Sequence, residues 1–233
     1  MALRRDWVYE NNGGTCVAIA GLDYCVVAAD TRLSVGYSIY TRDHSKICKL
    51  ADKCVLASSG FQGDMKALQK NLAARHLIYQ HQHNKQMSCP AMARLLSNTL
   101  YYKRFFPYYT FNILGGLDDE GKGCVYTYDA VGSYERVGYS CQGTGGALIM
   151  PVLDNQLKSP SPLLLPARDA VTPLLESEAV DLIKRRFCIS YRKGYLHWRQ
   201  VRNHRHKCCG HSKRAYGSQE GLASVCCCCR EAV

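Results

Sequence analysis

No run of eighteen or more apolar residues occurs in this sequence, so it offers no helix long enough to cross a membrane. The opening MALRRDWVYENN is too short and too polar for a secretory leader, and the expected compartments are cytoplasm and nucleus. Without a leader, the 14 cysteines read as free thiols and not as a disulfide framework. No Walker pattern follows Gly115-Gly116 or Gly143-Thr144-Gly145-Gly146, which argues against phosphate binding. From Arg185 to Val233 there is no aspartate, no sustained apolar period and few aliphatic residues.

The rest of the chain has what a globular protein needs. It is 47% hydrophobic and 21% charged over 233 residues, which suits one domain of ordinary size with a large core. The net charge of +11 is local. Residues 185–233 hold 11 basic and 2 acidic side chains, whereas residues 1–184 hold 19 and 17. Seven cysteines are scattered through the first part, mostly in apolar runs where a thiol packs as a small hydrophobe. The other seven crowd the tail and end in Cys226-Cys227-Cys228-Cys229. Two units follow from this: a body over residues 1–184 and a basic Cys/His-rich tail over 185–233.

The body opens with strands. Thr15 to Ala20 and Tyr24 to Ala29 are joined by Gly21-Leu22-Asp23, a hairpin signal. Ser38 to Thr41 and Cys48 to Leu50 suggest a second pair, and Cys54 to Ser58 a short buried strand. None alternates cleanly, so the sheet is expected to be covered on both faces. Asp64 to Gln82 predicts a helix with Met65, Leu68, Leu72, His76 and Tyr79 on one face and Asp64 as N-cap. Ser88 and Pro90 start a second, with Met92, Leu95, Leu96, Thr99 and Leu100 as its stripe. Strands return at Tyr109 to Leu114 and Cys124 to Tyr128, around the loop GGLDDEGKG. Four prolines between 159 and 173 mark a surface loop, and Glu176 to Lys184 resumes helical spacing.

This order, together with GGTCVAIAG, VVAADTRLSVGYSI, SSGFQGD, RFFPYYTFNILGGLDDEGKG and YDAVGSYERVGY, resembles the 20S proteasome β-subunit family. Within it the chain looks closest to the β6 (type-1) subunits of plants. The resemblance covers about residues 9–184. It implies a four-layer αββα sandwich, the N-terminal-nucleophile hydrolase fold, incomplete at the C-terminus because the tail departs from the family. It also implies hetero-oligomeric rings with other α and β subunits as partners, with no nucleic acid, membrane, metal or cofactor.

Active members of that family attack peptides with an N-terminal threonine whose α-amine is the base. The resemblance implies that Asp30 and Lys46 are the supporting ion pair and Gly60 the oxyanion donor. Counting back by the family spacing reaches Gly14, which has no hydroxyl. Thr15 is one residue further along the strand, and a one-residue step turns a side chain to the opposite face. Gly146 stands where the family has a catalytic serine, and no aspartate follows the last helix. The expectation is therefore a non-catalytic structural subunit, not an enzyme on its own, with Gly14, Thr15, Asp30, Lys46, Gly60 and Gly146 as a degenerate pocket. The alternative is an active N-terminal threonine endopeptidase that uses Thr15.

The tail suggests a frame-shifted or mis-spliced product. Cys208, Cys209, His211, Cys226 and Cys229 offer zinc-type ligands at poor spacing, and Arg199 to Lys207 beside Tyr195 and Trp198 a basic run. Loss of the family's last strands is expected to leave a strand edge unpaired.

Overall fold

The structure, a computed structural model, describes residues 9–157, 171–192 and 224–229, with backbone alone from residue 185 onward. β1 (Thr15–Ala20) and β2 (Tyr24–Ala29) form an antiparallel hairpin in which Cys16 lies opposite Ala29 and Ala20 opposite Cys25. Its turn packs tightly. A Cβ on Gly21 would lie 2.1 Å from the Tyr24 ring, so only glycine fits there. β10 (Tyr139–Gly143) flanks β1 on one side, and β11 (Ser224–Cys229) flanks β2 on the other. β3 (Leu33–Val35) and β4 (Ser38–Thr41) make a separate two-stranded hairpin. The second large sheet runs in chain order: β5 (Ile47–Ala51), β6 (Cys54–Gly60), β7 (Thr110–Leu117), β8 (Gly123–Tyr128) and β9 (Tyr134–Val137).

Among the described residues, four helices cover the two sheets: α1 (Gln62–His83), α2 (Cys89–Tyr102), α3 (Gly146–Leu157) and α4 (Glu176–Arg192). The layers follow from strand alternation. Val17, Ile19, Val26 and Ala28 face Ile149 and Leu153 of α3 and Val180 and Ile183 of α4. Their neighbours Cys16, Ala18, Cys25 and Val27 face Val55, Ala57, Ile113 and Val125 of the second sheet. The far side of that sheet, with Leu56, Leu114 and Tyr126, packs on Leu68 and Leu72 of α1 and Met92 and Leu96 of α2. The result is the αββα sandwich, and apolar cover on both faces explains why the strands do not alternate. The sheets approach closely at Gly115, where a Cβ would lie 2.6 Å from Val27 Cγ2.

Several details differ from the sequence expectations. α1 is capped by Phe61, not by Asp64. The Asp64 carboxylate instead accepts the Tyr109 N–H at 2.9 Å, tying the first turn of α1 to the segment before β7. α4 runs past the boundary drawn after Lys184, to Arg192. An unpaired strand edge was expected from the tail's departure, and the edge of β2 is paired by β11, from Ser224 opposite Ala29 to Cys229 opposite Tyr24. The zinc-type residues Cys208, Cys209 and His211 and the basic run 199–207 lie outside the described residues, as do the side chains of Cys226 and Cys229.

Candidate active site

Five of the six residues singled out meet where the two sheets join. Thr15 opens β1, with Gly14 just before it. Asp30 directly follows β2, Lys46 directly precedes β5, and Gly60 ends β6. The turn 143–146 leads from β10 into α3 beside them.

Lys46 Nζ lies 2.7 Å from Asp30 Oδ2, with side chains 0% and 2% exposed. The ammonium also donates to the carbonyls of Asp30 and Arg32. Asp30 Oδ1 accepts the backbone N–H of Thr15 at 2.7 Å, and Oδ2 accepts that of Arg32 at 3.2 Å. Burial pushes the Asp30 carboxyl above its ordinary value, while Lys46 and the two N–H donors pull the other way. Each carboxylate oxygen thus has a donor, which a buried charge requires.

The Thr15 hydroxyl takes the other direction. It accepts the Gly145 N–H at 2.8 Å and lies 3.5 Å from the Thr144 hydroxyl. The Thr144 N–H and hydroxyl both donate to the Gly14 carbonyl, at 2.9 and 3.2 Å. Gly14 has φ +106°, and a Cβ there would lie 2.5 Å from Lys46 Cε and 2.9 Å from Asp30 Oδ1. Its backbone therefore fills the space above the ion pair.

Gly60 has φ +115°, and its N–H donates to the Gly13 carbonyl at 3.3 Å. Asn12 secures this segment. Its N–H donates to the Gly60 carbonyl, its amide oxygen accepts the Gln62 N–H at 2.8 Å, and its amide nitrogen donates to the Ser34 carbonyl. Gly146 does not join the cluster. It is the first residue of α3, and a Cβ on it would find the Cys141 carbonyl at 3.5 Å as its nearest contact. Sequence reasoning missed Asn12, Thr144 and Gly145. The glycine-rich turn carried a signal for the last two, because a backbone N–H reaches a buried hydroxyl most easily where side chains are small.

Chemically, the arrangement presents one nitrogen, one carboxylate and one ammonium in a chain. Cleavage of the Gly14–Thr15 bond would turn the Thr15 nitrogen into an α-amine already held by Asp30, with its own hydroxyl within reach as nucleophile. Among the described residues, no group of three His, Cys, Asp or Glu side chains is arranged to hold a metal ion.

A family model described as proteasome subunit matches residues 10–165. The proteasome subunit beta type-1 of rice, Oryza sativa subsp. japonica, is 87% identical over 184 residues, covering 79% of this chain and 83% of its own length. Those of Petunia hybrida and Arabidopsis thaliana are 82% and 80% identical, each over 176 residues, with 76% of this chain and 79% of the relative covered.

These matches correct two expectations. The sequence reading made the chain a non-catalytic subunit, and not an enzyme on its own, because Gly14 occupies the nucleophile position. Close likeness to type-1 β subunits of a proteolytic particle favours the alternative, catalysis through Thr15, over that reading. Counting residues judged Thr15 by the direction of its hydroxyl alone. It took no account of its nitrogen, which sits on the Asp30–Lys46 pair. With the family model matching 10–165, and with its αββα sandwich of the N-terminal-nucleophile hydrolase type incomplete at the C-terminal end, the chain belongs to the proteasome family as a type-1-like β subunit of the 20S core particle.

Proposed function

We propose that this subunit hydrolyses peptide bonds within the assembled core particle, using Thr15 after cleavage of the Gly14–Thr15 bond. The observation that carries this reading is the chain Thr15 N, Asp30 and Lys46, with 2.7 Å at each link. The Thr15 hydroxyl attacks the substrate carbonyl, and its proton passes to the α-amine. The α-ammonium returns that proton to the peptide nitrogen as the C–N bond breaks and the amine product leaves, and the acyl group rests on the hydroxyl oxygen until water releases it. Asp30, itself fixed by Lys46, holds the amine.

The intact chain keeps this chemistry closed. Thr15 is fully buried, and the Gly60 N–H, the oxyanion donor in this reading, is taken by Gly13. Removal of residues 1–14 frees that N–H and uncovers the nitrogen. The body over residues 1–184, once trimmed to Thr15, supplies the working part in this reading, and the particle acts in cytoplasm and nucleus.

The test is the N-terminus of the chain recovered from assembled particles, read by mass spectrometry, beside the peptidase activity of Thr15→Ala and Thr15→Ser particles. A new N-terminus at Thr15 is expected, with the activity assigned to this subunit lost in Thr15→Ala and kept in part by Thr15→Ser. A chain that assembles with residues ahead of Thr15 intact overturns the proposed chemistry.

A further inference from the structure

We propose that Cys54, Cys89 and Cys124 form a thiol–disulfide site in which Cys89 is the shared partner. Cys54 on β6 lies opposite Gly116 on β7, and Gly116 lies opposite Cys124 on β8. The three positions make one row across the sheet, and both cysteines of the row belong to the core beneath α1 and α2. Gly116 leaves the centre of the row without a side chain. Cys89, the first residue of α2, fills that space: a Cβ on Gly116 would lie 2.8 Å from Cys89 Sγ. The same Cβ would lie 3.2 Å from Cys54 Cα, so the Cys89 sulfur sits over the row beside it. All three cysteines are free and buried.

The row decides which bonds can form. Strands two apart in a sheet are separated by roughly 9–10 Å. A disulfide needs Cα atoms within about 7 Å, so Cys54 and Cys124 are too far apart to join each other. Cys89 sits between them and can join either. The neighbouring Cys124 thiol pulls the Cys89 thiol down, while that of Cys54 and burial push it up, and the net direction is upward. The neighbouring Cys89 thiol, and then burial, hold Cys124 up as well. At rest the Cys89 and Cys124 thiols are therefore protonated, and oxidation follows local opening of the α2 start. Cys89, as the first residue of α2, is the thiol that this opening exposes, and it is the attacking group.

With hydrogen peroxide as oxidant, the Cys89 sulfur attacks one peroxide oxygen, the O–O bond breaks and water leaves. The sulfenic acid formed is attacked by the sulfur of Cys54 or Cys124, the S–O bond breaks, and a second water leaves. Two thiols are oxidised by two electrons, and the peroxide becomes two waters carrying the thiol protons. The product fastens the start of α2 to the sheet.

The full chain, folded and reduced, is treated with hydrogen peroxide. Free thiols are then alkylated in denaturant, the chain is digested without reduction, and linked peptides are mapped by mass spectrometry. Cys89–Cys54 and Cys89–Cys124 links are expected, with no Cys54–Cys124 link, and dithiothreitol is expected to reverse them. The same treatment in urea should scatter the links over all cysteines, including Cys226 to Cys229. In Cys89→Ala, Cys54 and Cys124 should both be recovered alkylated. The assignment is overturned if the folded wild-type chain yields all three thiols alkylated, a Cys54–Cys124 bond, or links from Cys89 as scattered as in urea. None of these readouts depends on peptidase activity.

Discussion

Asp30 and Lys46 form an ion pair closed to solvent, with Lys46 Nζ 2.7 Å from Asp30 Oδ2. Such a pair is weak as net stabilisation, but removing one partner strands the other charge. Lys46→Met should therefore lower stability by about 3–5 kcal/mol. Asp30→Leu combined with Lys46→Met should lower it by clearly less, because no buried charge remains. Urea midpoints of the two variants test this. A double variant as unstable as the sum of the singles would contradict it.

Gly60 is restricted by its surroundings. Its φ of +115° is one that side-chain-bearing residues rarely adopt, and a Cβ would lie 2.5 Å from the Tyr109 carbonyl oxygen. That oxygen accepts the Phe61 N–H at the start of α1, so it has little freedom to move. Gly60→Ala is expected to cost about 1–3 kcal/mol in backbone strain alone. Thermal unfolding of Gly60→Ala beside Gly13→Ala gives the comparison. Gly13 also has positive φ but no neighbour within 4 Å of its Cβ position, so Gly13→Ala should cost less.

Much of the sandwich was legible because its signals are local. The β1 and β2 ranges, the stripe Met65, Leu68, Leu72 and His76, and the Ser88-Pro90 start all match the structure. Local signals also misled. Asp64 looks like a cap, yet its partner is the Tyr109 N–H, forty-five residues away. Tyr134–Val137 and Tyr139–Gly143 were not read as strands, since each is short and set by pairing with β8 and β1. In the site, the resemblance to the family pointed to Asp30, Lys46 and Gly60. It could not show that the Gly13 carbonyl takes the Gly60 N–H, because that backbone hydrogen bond leaves no mark in residue type.

His44 gives the fold a pH dependence of definite sign. Burial first, then the charges of Lys66 and Lys46, hold its imidazole below the ordinary value of 6.5. The folded state therefore prefers the neutral ring, and the unfolded chain binds the extra proton. Stability from this group is present above pH 6.5 and falls as pH drops towards the lower folded value. Its half-buried position keeps the effect small. His44→Asn should flatten urea midpoints measured between about pH 5 and 7. An unchanged slope would place the pH dependence elsewhere.

Pairing of β11 with β2 makes the tail a structural element in its own right. The register runs from Ser224 opposite Ala29 to Cys229 opposite Tyr24, so the whole inner strand YCVVAA has a partner on that side. Truncation after Arg192 would leave those backbone groups open along a strand with no charged residue. Such an edge recruits other chains. The truncated chain is expected to scatter light and bind thioflavin T at concentrations where the full chain stays clear. Amides of β2 that donate across to β11 should exchange faster with solvent. A truncated chain that remains monomeric, with β2 amides as protected as before, would show that the tail strand does not hold this edge in solution.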